Sequence, residues 1–201
     1  GQRVEVVAVT KTHGADAVQA AWDCGLRAVG ENKVQEALSK MDEVQVPIAW
    51  HLIGHLQRNK AKFTPRFALV QSMDSPRLAD ALHDVGVREG TVIRVLAQVN
   101  ASGEESKGGY AVDAVRADAD RLRTLHGIAV VGAMPMAPFD ADERVLRATF
   151  AGARVAREAL CEAGHPAREL SMGMSTDYEV AVEEGATMVR LGTILFGERT
   201  P

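Results

Sequence analysis

A single lysine stands where an apolar run near the start of the chain ends. Lys11 directly follows the sequence VVAVT. Burial at the end of a strand disfavours the charged form of an amine, and the neutral amine is the form that attacks an aldehyde. Lys11 is therefore a candidate for a Schiff base. A rim lysine that extends its charged end into solvent is the alternative interpretation.

Two segments late in the chain combine hydroxyl groups with glycines. Residues 171–177 read SMGMSTD, and residues 190–193 read RLGT. Hydroxyl groups and unpaired backbone N–H groups at a helix start bind phosphate. Each segment alone is also compatible with an ordinary cap and turn, but the two together predict an anion site.

Two further groups of residues carry weaker signals. His51 and His55 are four apart, as two metal ligands on a helix would be. Gly54 interrupts such a helix and no third ligand is evident, so we predict no metal. Lys107, in the segment 102–109, is a possible second amine near a ligand, although a solvated loop lysine is the favoured interpretation.

These residues need elements that bring them together, and the chain alternates β-rich segments with longer helical ones. The predicted strands are residues 4–10, 28–31, 50–54, 69–72, 92–99, 128–134, 170–172 and 188–191. The predicted helices are residues 15–24, 34–41, a short basic helix from Gln57, 75–84 with its end near Gly86, 113–125, 142–163 and 176–184. The strands are apolar on both faces, which is typical of buried parallel strands.

Eight strand–helix alternations predict an α/β fold, a single (β/α)8 TIM barrel over residues 1–201. An open doubly wound sheet is the alternative, because periodicity does not show closure. A barrel places its chemistry at the carboxyl ends of the strands. The predicted strand ends carry Lys11, Glu31, Asn32, Gly54, His55, Gln57, Asn100, Ser102, Met134, Pro135, Gly173, Ser175, Gly192 and Thr193.

Composition excludes several classes of function. The net charge of −4 does not predict binding to nucleic acid or to an anionic membrane. Cys24 and Cys161 are too few for a disulfide framework and fit a reducing compartment. No apolar run is long enough to span a bilayer, and no signal peptide is evident. We therefore expect a cytoplasmic protein.

Six motifs occur in order along nearly the whole chain. They are VTKT around Lys11, GENKVQE from Gly30, WHLIGHLQRNK from Trp50, KGG from Lys107, LSMGMS up to Ser175 and VRLGT up to Thr193. As an ordered set they resemble the pyridoxal phosphate homeostasis proteins. This resemblance implies a barrel like the N-terminal domain of alanine racemase, with pyridoxal 5′-phosphate (PLP) linked to Lys11.

The resemblance also implies roles for individual residues. Ser175, Gly192 and Thr193 would hold the phosphate, with Ser171 nearby. Arg190 would face the pyridine nitrogen, Asn32 would lie near the ring or its hydroxyl, and Met134 would line the ring. Pairing of Arg190 with a carboxylate such as Glu31 is the alternative for that residue.

The sequence departs from the family pattern in three places. The helix that usually precedes the first strand is absent, so we expect a barrel without that N-terminal helix. His13 and Gly14 stand where a turn with proline is common. The sequence MPM at residues 134–136 replaces a more usual Met-Thr-Ile, so the shapes of these loops are expected to differ.

The residues favour cofactor binding over catalysis. An arginine at the pyridine nitrogen does not readily protonate it, so the ring is a weaker electron sink. Racemisation also needs an acid or base on each face of the substrate carbon, and Tyr110 and Tyr178 lie outside any matching motif.

Three hypotheses remain open on the sequence alone. The first is a non-catalytic protein that stores, delivers or buffers PLP and passes it to PLP-dependent apo-enzymes. The second is a PLP-dependent amino-acid racemase. The third is a metal-free barrel enzyme that acts on a phosphorylated metabolite without PLP.

Overall fold

The computed structural model describes residues 3–101, 108–138 and 140–197, in which strands and helices alternate. The strands are β1 (Glu5–Val9), β2 (Ala28–Glu31), β3 (Ala49–Leu52), β4 (Leu69–Met73), β5 (Ile93–Val99), β6 (Ile128–Pro135), β7 (Glu169–Leu170) and β8 (Met188–Leu191). The helices are α1 (Ala15–Asp23), α2 (Val34–Glu43), a 3-10 helix (Arg58–Arg66), α3 (Pro76–Glu89), α4 (Val112–Thr124), α5 (Glu143–Glu162), α6 (Tyr178–Glu183) and α7 (Thr193–Phe196).

The strands form one parallel sheet that closes on itself. Their order is β7-β6-β5-β4-β3-β2-β1-β8, and β1 pairs with β8. The remaining gap is bridged beyond the end of β7, where Ser171 pairs with Met188 and the N–H of Arg190 donates to the carbonyl of Gly173 over 2.9 Å. The predicted (β/α)8 barrel is therefore confirmed, and the open sheet is excluded.

Alternation along each strand separates two apolar layers, because successive side chains point to opposite faces. In β1, Val7 faces the barrel interior and Ala8 faces the helices, and in β8 the same holds for Met188 and Val189. The interior cluster is Val7, Ala28, Leu69, Leu96, Val131, Met134 and Met188. By this alternation Arg190, two residues after Met188, also points inward.

Most predicted element boundaries agree with the structure to within one or two residues, and β2 and β8 agree at both ends. The prediction that α3 ends near Gly86 is wrong, because α3 continues to Glu89 and is capped by Gly90 at φ +63°. Gly86 serves packing instead. A Cβ at Gly86 would lie 2.1 Å from the carbonyl oxygen of Gly127, so only glycine permits this approach of α3 to the start of β6.

The short helix α7 is a feature that periodicity does not predict. It has only four residues and begins directly after β8, with Gly192 at its N-cap. Hydrophobic periodicity needs several turns before it indicates a helix. None of the helices in the described residues is long and apolar enough to cross a membrane. Cys24 and Cys161 are free and exposed.

Candidate functional site

A cavity of about 550 Å³ opens at the carboxyl ends of the strands. This volume lies within the range of about 300–1,000 Å³ that is common for small-molecule sites. Six of the eight residues to which the resemblance assigns a place at the cofactor line it: Lys11, Asn32, Ser175, Arg190, Gly192 and Thr193. Arg190 belongs to β8, and the other five residues follow β1, β2, β7 or β8. Pairing of β1 with β8 is what brings the first and last parts of the chain together.

Lys11 lies two residues after the end of β1, in a turn whose backbone is unusual. Thr12, the next residue, has φ +69°, a value that a β-branched residue rarely adopts. Val9 lines the cavity as well, so the alternation of β1 continues into Lys11. Lys11 thereby belongs to the same cavity wall as the inward face of the strand.

Hydroxyl and backbone N–H groups converge at one end of the cavity. The N–H groups of Gly192 and Ile194 both donate to Ser175 Oγ over 3.3 Å. These N–H groups belong to the first turn of α7 and therefore have no partner within the helix. In the loop after β7, the N-cap residue of α6, Asp177, accepts the N–H of Met174 over 2.5 Å.

Arg190 forms part of the cavity wall although its side chain is almost fully buried. One guanidinium nitrogen donates to the carbonyl and to the hydroxyl of Ser171, over 2.5 and 2.9 Å. The other donates to the carbonyl of Pro135 over 3.4 Å. Burial lowers the pKa of Arg190 to about 10, while the charge of Asp177 acts in the opposite direction. The guanidinium is thus still charged at neutral pH, and it binds neutral oxygens rather than Glu31.

A hydrogen-bonded chain continues from Arg190 across the barrel interior. The hydroxyl of Ser171 donates to Gln71 Oε1 over 2.6 Å, and the amide nitrogen of Gln71 lies 3.0 Å from His51 Nδ1. Because Gln71 accepts through its oxygen, its amide nitrogen donates and His51 Nδ1 must accept. His51 is consequently neutral. Burial, with a contribution from the charge of Arg94, lowers its pKa to about 4.

Two of the residues expected at the ligand do not line the cavity. Met134 is fully buried in the interior cluster, and Met136, two residues further along the chain, lines the cavity instead. Ser171 is fully buried beneath Arg190 rather than beside Ser175 and Gly192.

Three further residues line the cavity although the sequence analysis gave them no role at a ligand. His13 lines the cavity and stacks on Phe196 of α7, with ring centroids 5.1 Å apart. His55 lines it too and lies 3.1 Å from Asp74, although its side chain is 73% exposed. Gln98 of β5 is a third such residue. Gln98 lies at the end of β5, and His55 and His13 lie three and four residues beyond β3 and β1. Position at a strand end is the signal that selected His55 from the sequence and would have identified Gln98.

The remaining expectations concern metal, the second amine and the tyrosines. Among the described residues, no group of three or more His, Cys, Asp or Glu side chains is placed to hold a metal ion. Lys107 lies outside the described residues. Tyr110 is buried against α4, with its hydroxyl 3.4 Å from Asp118, and the hydroxyl of Tyr178 contacts Glu179. Neither tyrosine lines the cavity in the part of the chain that the structure describes.

The closed barrel with a lysine at the end of its first strand defines a structural class. Residues 1–200 match the family model described as alanine racemase, N-terminal domain. An alanine racemase from Clostridium difficile aligns with a TM-score of 0.84 over 100% of this chain and 54% of that one, but at 16% identity this likeness shows the fold alone.

Proteins with higher sequence identity to this chain identify the family within this structural class. The pyridoxal phosphate homeostasis protein of Aquifex aeolicus is 37% identical over 97% of this chain and 87% of its own length. That of Pseudomonas aeruginosa is 40% identical over 98% and 85%. The structure of PipY from Synechococcus elongatus with PLP bound aligns with a TM-score of 0.88 at 37% identity, over 96% of this chain and 92% of that one. This chain belongs to the pyridoxal phosphate homeostasis protein family.

Proposed function

We propose that this protein binds PLP in the barrel cavity and takes part in PLP homeostasis, as the names of its relatives indicate for them. The observation that carries the proposal is the joint presence of Lys11, Ser175, Gly192 and Thr193 in one cavity wall. PLP carries an aldehyde and a phosphate. The amine of Lys11 can react with the aldehyde, and the hydroxyl and N–H donors can bind the phosphate. Condensation of the Lys11 amine with the aldehyde forms a C=N bond and releases one water.

The residues around the cavity fit the rest of the cofactor. We assign the phosphate to Ser175, Gly192 and Thr193, and the pyridine nitrogen to Arg190, whose guanidinium is held at the cavity wall by Ser171. Asn32 is assigned to the ring or its hydroxyl. We replace Met134 by Met136 as the methionine at the ring, because only Met136 lines the cavity.

The surroundings of Arg190 support a carrier rather than a catalyst. A guanidinium that is still charged at neutral pH does not readily protonate the ring nitrogen, so bound PLP supplies only weak electron withdrawal there. Neither described tyrosine reaches the cavity to serve as a second acid or base. We therefore propose that the protein holds PLP and releases it to PLP-dependent apo-enzymes. The free thiols of Cys24 and Cys161 suit a reducing cytoplasm as the place of this exchange.

Absorbance and mass spectrometry test the linkage. Wild-type protein mixed with PLP should develop a visible band that borohydride removes, and the reduced protein should carry its pyridoxyl group on Lys11. Lys11→Ala should lose the band, because the amine is gone, while its circular dichroism stays that of wild type. A pyridoxyl group on Lys107 or on any other lysine would show that the assignment is wrong, and the absence of any band would favour a barrel enzyme for phosphorylated metabolites.

The racemase alternative is tested on the same protein. His55 beside Asp74 is the one observation that favours it, since an imidazole paired with a carboxylate can act as a base. We expect negligible racemase, transaminase and decarboxylase activity from PLP-loaded protein on a panel of amino acids, together with transfer of PLP to an apo-enzyme. Robust turnover that disappears in both Lys11→Ala and His55→Ala would replace the carrier proposal.

A further inference from the structure

A buried ion cluster lies behind the turn that carries Lys11, on the outer side of the barrel wall. Lys40 of α2 is almost fully buried, and its ammonium group donates to three oxygens. These are Glu31 Oε1 at 2.7 Å, Glu36 Oε1 at 2.9 Å and the carbonyl of Thr10 at 2.8 Å. The three donors of the ammonium group are therefore all used.

This Lys40 cluster holds both chain neighbours of Lys11. On one side, Thr10 presents its carbonyl to Lys40 and its hydroxyl to Glu31 Oε1, the latter over 2.5 Å. On the other side, the N–H of Thr12 donates to Glu36 Oε1 over 2.6 Å. Thr10 points outward into the cluster, so alternation directs Lys11 inward to the cavity.

The backbone of the turn has an intrinsically unfavourable conformation. Thr12 has φ +69°, which is unfavourable for a β-branched residue, and such strain persists where surrounding contacts fix it. The N–H of Thr12 to Glu36 is one of those contacts. Strained residues of this kind are found where a side chain must be aimed at a ligand.

Stability alone is a poor explanation for the cluster. Burying charged groups costs solvation energy, which a pair recovers only when its remaining polar atoms are satisfied. Glu31 is fully buried, yet its Oε2 has no hydrogen-bond partner among the residues that the structure describes. An apolar contact between α2 and β2 would bury the same surface without this cost.

We propose that Lys40, together with Glu31 and Glu36, is a positioning group that fixes the direction of Lys11 toward the PLP aldehyde. The inference rests on the proposed function, since it concerns the same Lys11. By orienting Lys11, these three residues outside the cavity would promote formation of the covalent link. Lys40 does not touch the cofactor in this arrangement, so it acts through the two chain neighbours of Lys11.

Two ligands separate positioning from a general effect on the fold. PLP reports the covalent link, whereas pyridoxine 5′-phosphate has a hydroxymethyl group in place of the aldehyde and reports only the cavity. In Lys40→Met, affinity for PLP should fall by about tenfold or more, the equivalent of one lost hydrogen bond or more. Affinity for pyridoxine 5′-phosphate should change by less than about twofold, because the phosphate and ring contacts are unchanged.

Further variants keep the test decisive. Lys62→Met, at an exposed lysine of the 3-10 helix, is the matched control and should bind both ligands as wild type does. If Lys40→Met does not fold, Glu36→Ala tests the same contact with Thr12 at a less buried position, and Glu36→Gln, which keeps an oxygen acceptor there, should restore PLP affinity.

The outcomes distinguish the two proposals. An equal loss of affinity for PLP and for pyridoxine 5′-phosphate in a folded variant would mean that the cluster is only structural. Unchanged affinity for both ligands would overturn the inference directly. Failure of the wild-type protein to form the visible band with PLP would contradict the proposed function instead, irrespective of Lys40.

Discussion

Ser175 shows how one hydroxyl group connects two segments of the chain at the cavity. Its oxygen accepts the N–H groups of Gly192 and Ile194 over 3.3 Å, which ties the loop after β7 to the start of α7. Because Oγ accepts at both contacts, its own O–H is available to donate. Ser175 thus shapes the end of the cavity to which we assign the phosphate, and its O–H is a hydrogen-bond donor there.

A substitution at Ser175 should therefore act on the phosphate alone. A hydrogen bond to a charged group contributes about 1.5–3 kcal/mol, so Ser175→Ala should weaken PLP binding by roughly tenfold to a hundredfold. The visible band should still form at high PLP concentration. Titration with pyridoxal, which lacks the phosphate, is the control, and its affinity for Ser175→Ala and wild type should be the same. A parallel loss for pyridoxal would contradict the assignment of the phosphate to this end.

Arg190 shows how burial changes what a charged residue can do. Its guanidinium contacts only neutral oxygens of Ser171 and Pro135 among the hydrogen bonds of the described residues, so its charge is not neutralised by a carboxylate. A cation at this place disfavours a second positive charge nearby. If PLP binds as we propose, its pyridine nitrogen would consequently be kept unprotonated.

At the scale of elements, glycines set how closely loops approach one another. A Cβ at Gly54, after β3, would lie 2.4 Å from the carbonyl oxygen of Asn32, after β2. The close contact of these two loops brings Asn32 to the cavity. Gly86 in α3 makes an equally close contact with Gly127, but far from the cavity residues.

These two glycines form a matched pair of substitutions. Gly54→Ala and Gly86→Ala should each lower the free energy of unfolding by about 1–3 kcal/mol, because each forces a backbone shift. Only Gly54→Ala should also weaken PLP binding, since it displaces Asn32. Urea denaturation and PLP titration of both variants check this expectation. A similar loss of PLP affinity in the two variants would indicate that general destabilisation, and not the Asn32 loop, controls binding.

At the scale of the whole molecule, buried titratable groups make stability depend on pH. His51 has a folded-state pKa of about 4, well below its ordinary value, so the folded protein resists its protonation. The contribution of His51 is complete above about pH 6.5 and is lost as the pH falls toward 4. Burial raises the pKa of Glu5 and of Glu31, and these two carboxyls act in the opposite direction.

A comparison of variants isolates the histidine from the carboxyls. Wild-type protein should lose about 2 kcal/mol of unfolding free energy through His51 between pH 7 and pH 4.5. His51→Asn keeps an acceptor for Gln71, but asparagine does not titrate. Between pH 7 and pH 4.5 this variant should therefore lose about 2 kcal/mol less unfolding free energy than wild type. Denaturation at both pH values measures the difference. Identical pH dependence in the two proteins would show that His51 is not buried in its neutral form.

The sequence by itself determined the order of the elements and the ends of the strands at which chemistry lies. Periodicity is a local property, and strands such as β2 and β8 are apolar enough to be located from it. The positions of Lys11, Asn32, Ser175, Gly192 and Thr193 along the chain followed directly, because parallel strands place their carboxyl ends at one rim.

Only the tertiary structure decided which of these residues meet. Pairing of β1 with β8 brings the start and the end of the chain to one cavity, closure between β7 and β8 completes the barrel, and no local pattern reports such contacts. Two further features depend on the exact path of the strand ends. Met136 lines the cavity whereas Met134, also inward, is buried in the interior cluster, and Ser171 is buried beneath Arg190. The Lys40 cluster needs α2 packed on the outer face of β2, because only this packing brings the Lys40 ammonium group to within 2.7 Å of Glu31 Oε1.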